Sequence, residues 1–76
     1  MKTTSQVTDH LAISASELAK RLEISERHVW ALHSSGRLPR PIRFGRAVRW
    51  PVQDLEEWLA AGAPTRSRWE EMRGDH

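Results

Sequence analysis

The 76-residue chain contains no cysteine. That excludes disulfides and thiolate metal sites as supports for its core, and a reducing intracellular compartment suits it as well as any other. It has no apolar run near the roughly 18 residues of a membrane span, and its start, MKTTSQVTDH, lacks the apolar centre of a secretory signal. Internal repeats and low-complexity blocks are absent as well. A domain this short buries only about 60% of the surface its unfolded chain exposes, which argues for modest stability and against a large catalytic cleft. No serine sits in a nucleophile motif such as G-x-S-x-G. His28 and His33 are five apart, about 140° from each other on a helix, rather than at the i, i+4 spacing that chelates zinc. The expectation is a cytoplasmic protein that is not an enzyme, with no cofactor, metal, membrane or small-molecule substrate.

What is present is charge, unevenly placed. The formal net charge is only +2. Lys20 and seven arginines against Glu17, Glu23 and Glu26 put residues 14–50 at +5, whereas Arg66, Arg68 and Arg73 against six acids put residues 51–76 at −3. A basic middle segment points to a polyanionic partner, although a charged face is often simply solvated.

The order of elements sharpens that reading. Leu11 and Ile13 form a very short strand or an apolar lead-in. Ser14 then opens a helix over residues 15–22, with Glu17 completing an S-x-x-E capping box and Ile13 placed to staple onto Leu18. Leu18, Ala19 and Leu22 form its apolar stripe. Ser25 caps a second helix from Glu26 to Ser34 or Ser35, with Ile24 and Val29 as its staple and Gly36 at the positive-φ position after its end. Two helices joined by three residues make a helix-turn-helix.

On the second helix Val29, Leu32 and Gly36 share one side, with Arg27, Ala31 and Ser34 opposite them. His28 and Ser35 flank that outward side on one edge and Trp30 on the other. Pro39 and Pro41 then hold the chain extended.

RFGRAVRW, residues 43–50, reads as a hairpin. Gly45-Arg46 alone suggests a two-residue turn, but the apolar alternation favours a three-residue tip at Gly45, Arg46 and Ala47. That register sets Phe44 opposite Val48, Ile42 opposite Trp50 and Arg43 opposite Arg49. Like charges facing across a ladder are destabilising unless an anion sits between them. Pro51 suits the first turn of a third helix carrying Val52, Leu55, Leu59 and Trp58, closed by Gly62 and Pro64. Trp50 and Trp58 fall on apolar faces and are assigned to the core. Residues 1–10 are expected to be a flexible start, 11–62 the domain and 63–76 a flexible tail, with Ser67-x-x-Glu70 offering at most a marginal helix.

A helix-turn-helix with a basic hairpin has a direct use on double-stranded DNA. The second helix fits the major groove, with Arg27 and His28 as base-reading candidates and Ala31 small enough for close approach or a thymine methyl. Ser25, Trp30, Ser34 and Arg37 lie where backbone contacts are expected, although a packing role for Trp30 is at least as natural. Arg43, Gly45, Arg46 and Arg49 form a wing for phosphates or a narrow minor groove.

Residues 13–59, ISASELAKRLEISERHVWALHSSGRLPRPIRFGRAVRWPVQDLEEWL, resemble the small AlpA-type phage regulators and the related excisionases, whose winged helix-turn-helix is akin to the DNA-binding part of the MerR family. The stretches that carry the resemblance are SERHVW, GRLPRPIRFGR, and VRW followed by DLEEWL. It implies a mostly α fold with a small β-hairpin, in a non-enzymatic DNA binder of a phage, prophage, plasmid or integrated element. It also implies that the helix with Arg27 and His28 is the recognition helix and that the arginine-bearing hairpin is the wing. Pro51 to Gln53 depart from the family pattern, where a basic pair and a serine are more common. Two roles fit: a small transcriptional regulator, or an excisionase that bends an attachment site. An integrase or recombinase, or further copies of the chain on DNA, would be the partners. A third reading, from another class, makes the wing and acidic tail a protein-interaction module.

Overall fold

The computed structural model of the protein describes residues 10–74. The segment expected to be a flexible start lies outside them, apart from His10. In chain order the elements are β1 (Ala12–Ile13), α1 (Ala15–Leu22), α2 (Glu26–Ser34), β2 (Ile42–Phe44), β3 (Ala47–Pro51), α3 (Val52–Ala60) and α4 (Arg66–Arg73). Four helices and a small three-stranded antiparallel sheet, ordered β1-β3-β2, make a helix-turn-helix with a wing.

Both helices of the helix-turn-helix begin as their sequences require. The Ser14 hydroxyl accepts from the Glu17 amide at 3.2 Å, and the Ser25 hydroxyl accepts from the His28 amide at 3.0 Å. The reciprocal half of the α1 capping box is not made, because the Glu17 carboxylate turns forward to the Arg21 guanidinium at 3.1 Å. Both helices end in Schellman motifs. In α1 the Ile24 amide reaches Ala19 O at 3.0 Å and the Glu23 amide reaches Lys20 O at 3.2 Å; in α2 the Arg37 amide reaches Leu32 O at 2.8 Å and the Gly36 amide reaches His33 O at 3.1 Å. Gly36 takes the required positive φ of 73°, whereas the corresponding residue after α1 is Glu23, held at 59°. This three-residue turn packs α1 against α2, burying Ala15, Leu18 and Ala19 of the first and Val29 of the second.

The wing has a different register from the one its apolar alternation predicts. Ile42 pairs with Arg49, Arg43 with Val48 and Phe44 with Ala47, so the loop is the two-residue Gly45-Arg46. Gly45 has φ 61° and Arg46 a negative φ, the signs of a type II′ turn, whose twist matches that of the flanking strands. Arg43 and Arg49 therefore lie on opposite faces, and the ladder contains no facing pair of like charges. The alternation misled because only β3 turns its apolar residues inward. Trp50 is fully buried, while Ile42 and Phe44 stay 46% and 59% exposed on the outer face. Trp50 fills the core beneath the sheet together with Leu38, and its indole donates to Pro39 O at 2.9 Å, fixing the proline connector.

β1 pairs with β3 through Ala12 with Pro51 and Ile13 with Trp50. Leu11, just before it, is 91% exposed, but its carbonyl accepts the Val52 amide at 2.9 Å and so satisfies the start of α3. Pro51 is the residue before that helix rather than a member of its first turn. Leu55 and Trp58 are the buried residues of α3, and Leu59, expected in the stripe, is 47% exposed.

Residues 66–73, expected within a flexible tail, form α4, capped by Thr65 rather than Ser67: the Thr65 hydroxyl accepts from the Arg68 amide at 3.4 Å. Trp69 is buried in the common core and explains the docking. Arg73 reaches Asp54 of α3 at 3.3 Å and lies over the Trp69 ring, while Arg40 of the connector meets Glu70 at 2.8 Å.

Candidate nucleic-acid interface

The outward face of α2 is built by its cap and by the depth of Val29. With Val29 anchored, Arg27, His28, Ala31 and Ser34 are exposed, as helical spacing requires. Arg27 has no carboxylate partner among the described residues, and the same holds for Arg37, Arg43, Arg46 and Arg49. Arg40 and Arg21 do have one. The tail therefore neutralises part of the basic segment and leaves unpaired arginines along α2, its C-terminal side and the wing.

These residues do not all converge. A cleft of about 260 Å³ is lined by Ser14, Ser16, Glu26, Trp30, Arg46 and Arg49, together with the intervening strand, so the wing tip and the start of α1 face the start of α2 across it. Arg46 stands exposed on the turn. Arg49 is half-buried, and its guanidinium folds back to donate to Val48 O at 2.9 Å. Arg43, on the other sheet face, lies on the side of His33. Gly45 shapes the turn, and a Cβ there would meet nothing within 4 Å, so its role is conformational.

The serines differ in what they can offer. Ser25 accepts a backbone proton and keeps its own for a phosphate. Ser34 donates to Trp30 O at 2.9 Å, so a phosphate contact there requires that bond to break. Trp30 is 38% exposed and packs edge-on against His33 and Trp50, with ring centroids 5.8 and 5.7 Å away. It covers the base of the wing and still presents part of its ring to the cleft.

The sequence reading missed two residues behind this face. His33, weighed only as a metal ligand, packs edge-on against both Trp30 and Trp50. Arg66, placed in a loose tail, directs its guanidinium to His33 Nδ1 at 3.1 Å, His33 O at 3.0 Å and Leu38 O at 2.9 Å. Burial first, then the Arg66 and Arg43 guanidinium groups, push the His33 imidazole below its ordinary value of 6.5. Its spacing was the available signal, since His33 is three residues from Trp30 and four from Val29, on the edge of α2 that meets the wing. For Arg66 the signal was Thr65 three residues ahead of a buried-type Trp69's neighbour, a second possible cap beside Ser67.

A family profile described as a helix-turn-helix domain matches residues 12–63. The chain belongs to the helix-turn-helix domain family. The matched region runs from β1 through the wing to the end of α3, and α4 lies beyond it. No curated protein and no solved structure shows significant similarity to the chain. A helix-turn-helix domain is a DNA-binding module, and this one carries its unpaired arginines on the second helix and wing. Among the described residues no group of histidines and acids is placed to hold a metal ion, and no helix is long and apolar enough to cross a membrane.

Proposed function

We propose that this helix-turn-helix protein recognises a specific double-stranded DNA site as a small transcriptional regulator of a phage or other mobile element. Helix α2 enters the major groove. Arg27 pairs with a guanine edge, His28 donates to a base or phosphate, and Ala31 allows close approach. Ser25, Trp30, Ser34 and Arg37 address the sugar-phosphate backbone beside it, and the wing brings Arg43, Arg46 and Arg49 to the flanking phosphates or minor groove, with Gly45 shaping its turn. The observation that carries the reading is the exposed Arg27-His28 pair on the outward face of α2 together with an exposed Arg46 on the wing turn, neither arginine having a carboxylate partner among the described residues. The ladder places no two arginines face to face, so the support comes from exposed arginines without carboxylate partners among the described residues on α2 and the wing, and not from stored repulsion.

The test is fluorescence anisotropy with labelled duplexes tiling the DNA that flanks the protein's own gene, beside a scrambled duplex, at two salt concentrations. One tile preferred about tenfold or more, well inside the usual gap between specific and non-specific binding, supports the reading. Equal binding to every tile overturns it. Stepwise shifts accompanied by a DNA bend would assign the excisionase role instead.

A further inference from the structure

The matched family region ends at residue 63, short of α4, yet α4 holds the two parts of the interface together. Arg66 is its first residue, and the Arg66 amide donates to Gly36 O at 2.9 Å, at the C-terminal end of α2. Its guanidinium bridges His33 on α2 and Leu38 O in the connector. That connector is pinned one residue later by the Trp50 indole on Pro39 O, and Trp50 belongs to the wing strand. One side chain therefore ties the end of α2 to the segment that sets where the wing leaves it.

We propose that Arg66 is a positioning residue for DNA recognition, clamping α2 and the wing connector through His33 so that both reach one DNA site together. The proposal rests on the reading that α2 and the wing bind DNA, and it assigns a role to a helix outside the family domain. His33 makes the clamp sensitive to protons. With Arg66 donating to Nδ1, the imidazole must be neutral with its proton on Nε2. An added proton on Nδ1 removes that acceptor and sets an imidazolium beside Arg66 of α4 and Arg43 of β2, the charged groups that face it.

The test uses the full chain and the Arg66→Gln and His33→Asn variants. Histidine ring titration by NMR, without DNA, reads the clamp directly. The His33 titration should move to higher pH in Arg66→Gln, because a positive neighbour has been removed. Anisotropy then reads the ratio of affinities for the preferred and scrambled duplexes. Arg66→Gln should lower that ratio by about fivefold or more, the lower end of usual site-to-site couplings, with scrambled binding nearly unchanged. In the unaltered protein the ratio should fall as pH drops through the His33 titration, with helical ellipticity constant, and His33→Asn should show a smaller fall, what remains belonging to His28 at the interface. The difference between the parent and His33→Asn pH series does not depend on Arg66→Gln and decides the matter if that variant does not fold: equal falls in the two overturn the proposal. A shifted His33 titration with an unchanged ratio overturns the proposal and leaves Arg66 as a purely structural contact. If the unaltered protein prefers no duplex, the function proposed above fails, and the His33 titration still reports separately on whether the clamp exists.

Discussion

Single side chains divide into those that read, those that attract and those that hold. Arg27→Ala should relax the preference at one base pair by about 1–3 kcal/mol, measured by competition among duplexes that differ at single positions. Arg46→Ala should instead weaken all sequences alike and flatten the log-log salt dependence by about one unit. If the two results were exchanged, the helix and the wing would have each other's roles. His33 supplies a prediction about folding. Its pKa is lowered in the folded protein, so below pH 6.5 the unfolded chain takes up a proton that the folded chain resists. Stability should therefore fall as pH drops from 6.5 toward the lowered folded value. Thermal melts across that interval should show the fall in the parent and a smaller one in His33→Asn.

At the scale of elements, the ends of the helices were the most legible feature. Ser14, Ser25 and Gly36 do what their residue types require, and the outward Arg27-Ala31-Ser34 face followed from helical spacing alone. The wing register was not legible, because two local signals disagreed and the turn prevailed over the alternation. A glycine with φ 61° specifies the loop, and the register it sets leaves Ile42 and Phe44 exposed on the outer face while Trp50 and Leu38 are fully buried. Helix α4 was hidden by its composition, since five of its eight residues are charged and only Trp69 is buried. Nor could Arg66 be read as part of the interface, because its three acceptors come from residues about thirty positions away. The end of α1 offers a test of the cap chemistry. A non-glycine residue in the left-handed region costs roughly 1–2 kcal/mol, and glycine returns part of that as unfolded-chain entropy. Glu23→Gly should stabilise the protein by up to about 1 kcal/mol in urea unfolding, provided the Schellman bonds are retained.

For the molecule as a whole, charge and core are organised on opposite principles. The acidic C-terminal part engages Arg40 through Glu70, while Arg27, Arg37, Arg43, Arg46 and Arg49 remain without carboxylate partners among the described residues. If each neutralises one phosphate, log affinity should fall against log salt with a slope of about −4 to −5, measured by anisotropy from low to moderate salt. The core gathers Trp50, Trp58 and Trp69 from three different elements, so no element is expected to melt alone. Truncation after residue 63 removes Trp69, and loss of a buried tryptophan costs about 3–5 kcal/mol, which in so small a domain should bring the unfolding midpoint close to ambient temperature. The aromatic cluster beneath the wing also has an optical consequence. The Trp30 and Trp50 rings lie 5.7 Å apart at 60°. Their electronic transitions are therefore coupled in a chiral arrangement, and the protein carries a built-in exciton pair whose circular-dichroism signal depends on the helix and the wing strand keeping their mutual orientation.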